Sequence, residues 1–163
     1  MIDGKPIEKV LEFNFLGLTI NKFMNWRSHS TKIANKISRT LGVMNRLKRY
    51  LPYSAMKLMY DSLILSQLQF GITCWGFEWS RIVKLQKRAI RIMTQSKYNA
   101  HTEPLFKDLQ FLKINDIFDV QCLKFWYKFV NKTLPNYLCM IFTYNNELFD
   151  IETRSHVEVH FNV

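Results

Sequence analysis

The sequence predicts a mainly α fold, with a short N-terminal β-hairpin, a helical bundle and a C-terminal helical extension. Three observations carry that prediction. Only 5 Gly and 4 Pro occur among 163 residues, which leaves the chain free to form long regular elements. Apolar residues recur at helical spacing through several long stretches, while extended patterning is confined to the first twenty or so residues. Hydrophobic residues make up 48% and aromatics 15% of the chain, a composition that builds a packed core rather than a disordered segment.

Taken in order, Asp3-Gly4 is a tight-turn dipeptide that would close a hairpin onto Lys5–Val10. Only Met1 and Ile2 precede it, so the expectation is a chain that begins inside a sheet. Phe13, Phe15, Leu18 and Ile20 then read as a second extended stretch, either an ordinary buried strand or one that bends or is closely approached at Gly17. From Trp26 to Tyr50, Ile33, Ile37, Leu41, Met44 and Leu47 follow one another at steps of four, four, three and three, the period of one apolar helix face. Leu51-Pro52 stops this helix. Ser54 is the expected cap of a second helix reaching about Gln69, lined by Met56, Met59, Tyr60, Leu63, Ile64 and Leu68. The bulky residues and two glycines of 70–76 suggest a compact corner beneath a helix layer. A third long helix spans about Ser80 to Gln95, with Ile82, Leu85, Ala89, Ile92 and Met93 inward. Thr102 is the expected cap of a short helix with Pro104 in its first turn. Asn115 or Asp116 opens a long helix to about Asn131, Leu134-Pro135-Asn136 turns the chain, and a last helix runs from Tyr137 to Phe142 before a loose tail beyond Asn145.

Charge is unevenly placed on this frame. The formal net charge is +10, but residues 1–100 carry 17 Lys/Arg against 5 Asp/Glu, and residues 101–163 carry 6 against 8. The first helix holds Arg27, Lys32, Lys36, Arg39, Arg46, Lys48 and Arg49 with no acid, and the third holds Arg81, Lys84, Lys87, Arg88 and Arg91 with none. A solvated surface helix explains either alone. Two acid-free basic helices in one core favour a shared cationic face, for which a phosphate backbone is the commonest partner and an anionic membrane surface the second. Trp26, Tyr50 and Tyr53 are candidates to stack on sugar or base, though such aromatics more often lie in a core. No signal peptide is evident, and the most apolar window, Leu58 to Phe77, is interrupted by Asp61, Gln67 and Gln69, so it reads as buried helix followed by strand or loop rather than a membrane span. Three widely spaced cysteines, Cys74, Cys122 and Cys139, fit neither a disulfide framework nor a zinc site and suit a reducing, intracellular compartment.

Catalytic groups are hard to assemble from these residues. The six aspartates form no adjacent pair, and Asp116 with Asp119 suits a helix start better than a metal. No phosphate-cradling Gly-rich loop is present. Cys74 is expected to be a buried core cysteine rather than a nucleophile, and His156 with His160 lies in the expected tail. No metal site and no cofactor are expected, and the positive signal is binding.

The ordered pieces Ile2-Asp3-Gly4, Ile7-Glu8-Lys9-Val10, Phe15-Leu16-Gly17-Leu18-Thr19-Ile20, Trp26…His29, Lys36-Ile37…Leu41-Gly42…Leu47, Leu51-Pro52, Tyr60…Leu63-Ile64, Phe70-Gly71, Trp75-Gly76 and Leu85-Gln86-Lys87-Arg88-Ala89-Ile90-Arg91 resemble the region that follows the catalytic core of non-LTR (LINE, jockey-like) retrotransposon reverse transcriptases. His101-Thr102…Pro104-Leu105-Phe106…Leu109, Tyr127-Lys128, Leu134-Pro135 and Thr153-Arg154 continue the likeness over nearly the whole chain.

The resemblance implies three parts: residues 1–24 a hairpin like the primer grip, with Phe15, Leu16 and Gly17 as the primer-grip-like residues; 25–100 a basic thumb-like bundle; and 101–163 the helical region downstream. It implies that the RNA-directed DNA polymerase's catalytic aspartates, and the Mg they hold, belong to a palm upstream, so that this fragment alone is no enzyme. The expected partner is an RNA, DNA or RNA–DNA hybrid duplex, bound non-specifically by Lys32, Lys36, Arg39, Arg46, Arg49, Lys84, Arg88 and Arg91, with the missing palm or another protein as a further partner and no membrane. The expected location is intracellular, in nucleus or cytoplasm. The alternatives are a structural or protein-interaction fragment and a degenerate element copy without selected function.

Overall fold

The computed structural model describes residues 10–77, 79–140, 142–144 and 159–161. It is mainly helical, with an N-terminal two-stranded antiparallel hairpin followed by helices. The chain divides into two compact units, Met1–Gln121 and Cys122–Val163.

In the first unit, β1 (Glu12–Phe15) pairs with β2 (Leu18–Asn21) in the register Glu12↔Asn21 to Phe15↔Leu18. The turn therefore sits at Leu16-Gly17, both at positive φ (48° and 86°). Of the two readings of this stretch, the chain adopts the bend at Gly17 and not one continuous strand through 15–20. Glycine at the second turn position permits the left-handed backbone that a two-residue hairpin needs. The expected Asp3-Gly4 turn and its strand to Lys9 lie outside the described residues.

Helix α1 (Arg27–Leu47) buries Ile33, Ile37, Leu41 and Met44 as its spacing predicts, and Leu47 is half-buried. Next, α2 (Tyr53–Tyr60), a π-helical turn (Asp61–Leu65) and α3 (Ser66–Gln69) form one continuous rod that begins a residue before Ser54, which does not cap it. Its fully buried residues are Met56, Tyr60, Ile64 and Leu68, each four after the last. On a regular α-helix each such step drifts by about 40°. The wider π turn takes up that drift and keeps all four on the core side. Ser62 Oγ donates to the Leu58 carbonyl at 2.7 Å and Ser66 Oγ to the Ser62 carbonyl, back-bonds that accompany the loosened ladder.

The corner at 70–76 contains α4 (Ile72–Trp75). Trp75 is fully buried, and its indole N–H is satisfied by the Phe70 carbonyl at 2.7 Å. Gly71 has φ +60°, and a Cβ there would lie 2.9 Å from Leu18 Cδ2; one on Gly76 would lie 2.5 Å from both the Ile72 carbonyl oxygen and Phe118 Cδ2. Both glycines let the hairpin and a later helix close onto this corner. Cys74 is exposed, contrary to the expectation of a core cysteine, because Ile72 and Trp75 take the inward positions of so short a helix.

Helix α5 (Ser80–Met93) buries Ile82, Ala89, Ile92 and Met93, but also Gln86 and Ile90. Gln86 was not among the expected core residues. Its amide nitrogen donates to Tyr60 Oη at 3.0 Å and to the Leu112 carbonyl at 2.9 Å, while its oxygen accepts the Ile114 N–H at 3.0 Å. Burial pushes the Tyr60 phenol up to about 12, and Gln86 pulls against that shift. Helix α6 (Thr102–Asp108) follows, with Thr102 its buried first residue rather than a cap. Helix α7 (Ile114–Val130) starts with Asp116 accepting the Lys113 N–H at 3.2 Å, the reach-back half of a capping box.

In the second unit, the end of α7 is closed by Lys132 at φ 53° and by Thr133, whose Oγ1 accompanies its N–H to the Lys128 carbonyl. Trp126 and Phe129 pack at 5.3 Å. The last helix, α8 (Asn136–Cys139), is shorter than the expected Tyr137–Phe142. Phe142 instead opens β3 (Phe142–Tyr144), which pairs antiparallel with β4 (Val159–Phe161), so the described part of the expected loose tail is a strand ladder.

Candidate nucleic-acid interface

Helices α1 and α5 run parallel and in contact. Arg81, near the start of α5, donates from Nη2 to Asn35 Oδ1 at 3.2 Å. Gln95, just past its end, donates from Nε2 to the carbonyl of Lys48, just past the end of α1, at 3.1 Å. Between these two bonds the chain advances thirteen residues along one helix and fourteen along the other, or about 20 Å at 1.5 Å per residue.

The outward stripes of the two helices are joined at the Arg81–Asn35 bond. Asn35, Arg39, Gly42 and Arg46 fall at steps of four, three and four on α1; Arg81, Lys84 and Arg88 fall at three and four on α5. Arg39, Arg46, Arg81, Lys84 and Arg88 are all exposed, and neither helix contains an acidic residue. No carboxylate among the described residues pairs with any of the five. Gly42, on the outward face midway between Arg39 and Arg46, has nothing within 4 Å of a would-be Cβ, and Arg46 Nε reaches back to the Gly42 carbonyl at 3.4 Å.

The eight bases singled out from the sequence therefore separate into groups. Arg39, Arg46, Lys84 and Arg88 share the outward face, and Arg49 is exposed in the turn after α1. Lys32 and Lys36 lie on the flank of α1 that faces the hairpin. Lys32 Nζ sits 3.8 Å from Glu12 and donates to Thr19 Oγ1 at 3.1 Å, so its charge is partly compensated. Arg91 is turned the other way, half-buried, with Nε on the Ala100 carbonyl at 2.9 Å. Arg81 and Asn35, which sequence reasoning did not select for the site, join the two stripes; only their contact distinguishes them from neighbouring surface residues.

At the hairpin, Phe15 and Leu16 are exposed, and Gly17 lies under the Phe70 ring, with Phe70 Cε1 3.2 Å from a would-be Cβ. Buried His29 accepts the Thr19 N–H at Nδ1 (3.2 Å) and lies edge-on to Trp75 at 5.7 Å. Burial first, then the charges of Lys32 and Lys36, hold its imidazole below the ordinary value of 6.5. Among the described residues no helix is long and apolar enough to cross a membrane. Comparison with known proteins gave no match to a family model, to a curated protein or to a solved structure.

Proposed function

We propose that this chain binds a nucleic-acid duplex through its phosphate backbone, without sequence choice, on the outward face of α1 and α5. The observation that carries the reading is the pair of parallel, acid-free helices whose basic stripes are joined by the Arg81–Asn35 bond. About 20 Å of such a face spans roughly six phosphate steps of one strand. Phosphate contacts of this kind give affinity and position but no base readout. With the sequence resemblance, this face corresponds to the duplex-holding thumb of a retrotransposon reverse transcriptase, and the chain to a non-catalytic C-terminal part acting inside the cell. Polymerase activity is not proposed for these residues alone; primer extension in the presence of Mg tests that, and any templated extension overturns it.

The deciding experiment is binding of an RNA–DNA hybrid over a salt series. With four to six phosphates neutralised, log K falls against log salt with a slope of about −4 to −5. Changing Arg39, Arg46 and Arg88 together to Glu abolishes this binding while the helical circular-dichroism signal stays. A shallow slope, or a triple variant that binds as well as the parent, overturns the assignment.

A second reading is favoured by one observation. Every residue of β1 is exposed, including Phe13 at 58% and Phe15 at 54%, and Leu16 at the turn is 78% exposed. An apolar edge strand of this kind is a pairing template for another protein. Sedimentation of a clean monomer that captures no partner counts against it.

A further inference from the structure

A cleft of about 600 Å³ opens between the hairpin, α1 and α3, away from the outward face of the two basic helices. Its polar lining is tied into one network. The Thr19 hydroxyl donates to Asn14 Oδ1 at 2.8 Å and accepts from Lys32 Nζ at 3.1 Å, while the Thr19 N–H is held by buried His29. Because Asn14 Oδ1 is engaged as an acceptor, the Asn14 amide has its N–H groups left to offer. Lys36 and Gln67 add a cation and a second amide to the wall, and no carboxylate among the described residues is part of the lining. The volume lies within the range usual for small-ligand sites. At one side stands the half-exposed ring of Phe70, backed by the bare Gly17.

We infer that this cleft is a binding site for a single phosphorylated nucleoside, its phosphate on Lys32 and Lys36 and its base against Phe70, with Asn14 and Gln67 donating to the oxygens between. The requirements match. Two lysines with Glu12 at 3.8 Å from one of them suit one phosphate group rather than a chain of several. A planar ring against an aromatic face supplies stacking that tolerates any base. The site stands apart from the proposed duplex face: Asn14, Gln67 and Phe70 belong to the cleft and not to the outward stripes.

The test is titration of the isotopically labelled chain with adenosine 5′-monophosphate, followed by NMR at the Thr19 amide, the Asn14 and Gln67 side-chain amides and the His29 ring. Saturable shifts at these groups are expected. Asn14→Asp is the sharp variant: it keeps the acceptor that Thr19 needs but replaces the donor with a carboxylate. It weakens the nucleotide at least about tenfold, as does Lys36→Met, whereas Asn14→Asp leaves hybrid-duplex binding within about twofold, so that the two proposals fail separately. Absence of saturable shifts, or indifference to Asn14→Asp, overturns the site. Inorganic phosphate binding as tightly as the nucleotide removes the role of Phe70, and adenosine doing so removes that of the lysines; either result overturns the assignment to a phosphorylated nucleoside.

Discussion

Arg81 of α5 donates to Asn35 of α1 across 3.2 Å, and this contact, together with that of Gln95 on the Lys48 carbonyl, aligns two rows of arginine and lysine that lie far apart in the sequence. The five exposed bases on those rows are equivalent in kind, so their removal has a shared signature. Replacing Arg39, Arg46 or Arg88 singly by Ala lowers the salt slope of hybrid binding by about 0.9 each, with no change in sequence preference. Arg91→Ala behaves differently, because its guanidinium is held on the Ala100 carbonyl. It leaves the slope unchanged and lowers stability by about 1 kcal/mol, read from denaturant midpoints. Asn35→Asp, which places a carboxylate between the rows, weakens binding more than Asn35→Ala does.

Three glycines respond to alanine with different signs. Gly42 sits inside a long helix with open space around it, so Gly42→Ala stabilises the chain by about 0.5–1 kcal/mol through the unfolded state and helix propensity. Gly71 is left-handed and meets Leu18 at 2.9 Å; its alanine variant is destabilised by about 1–2 kcal/mol, since a leucine side chain can move but the backbone strain remains. At Gly76 the obstacle includes backbone oxygen at 2.5 Å, and Gly76→Ala costs about 3 kcal/mol or more. Thermal midpoints in that order check the assignment; Gly42→Ala falling below the parent refutes it.

Gln86 illustrates what periodicity could and could not reveal. The steps through Ile33, Ile37, Leu41 and Met44 located the buried face of α1, and the acid-free runs located both basic helices, because amphipathy is a local property of spacing. A glutamine within the buried face of α5 carries no such signal: its value comes from Tyr60, Leu112 and Ile114, whose positions only the tertiary fold brings together. The same limit explains Arg91, whose partner is a backbone carbonyl nine residues on, and the cleft, whose wall joins Asn14 to Gln67. The hairpin is the reverse case. Its turn residue, Gly17, is a visible signal, but Phe-Leu-Gly-Leu reads equally as a continuous apolar strand, and the register with Phe15 opposite Leu18 decides for the turn.

That network makes Gln86 a sensitive position. Gln86→Leu preserves volume but strands a buried hydroxyl, a carbonyl and an N–H, and is expected to destabilise by about 3 kcal/mol. Tyr60→Phe removes one partner and leaves Gln86 two others, costing about 1 kcal/mol. In the double variant Tyr60→Phe, Gln86→Leu the losses are less than additive, because the hydroxyl that Gln86→Leu alone would orphan is absent. Denaturant unfolding of the four proteins gives the coupling; strict additivity contradicts the shared network.

Stability is also expected to depend on His29. The ring is buried, its Nδ1 accepts the Thr19 N–H, and Lys32 and Lys36 stand nearby. All three features disfavour the imidazolium in the folded chain, the last by like charge and the second because a proton on Nδ1 would face the Thr19 N–H. The folded value therefore lies below the unfolded one of 6.5. On lowering the pH, the unfolded chain takes up this proton first, so stability is constant above about pH 7 and falls as the pH drops through the unfolded value toward the folded one. This window lies above the usual carboxylate range, which separates His29 from the acids. His29→Gln keeps an acceptor for Thr19 but cannot titrate. It lowers stability at pH 7.5 through altered packing, yet flattens the decline between pH 7 and 5.5. A parent protein equally stable at both ends of that interval, or a variant with an unchanged decline, rules out the buried neutral imidazole as its cause.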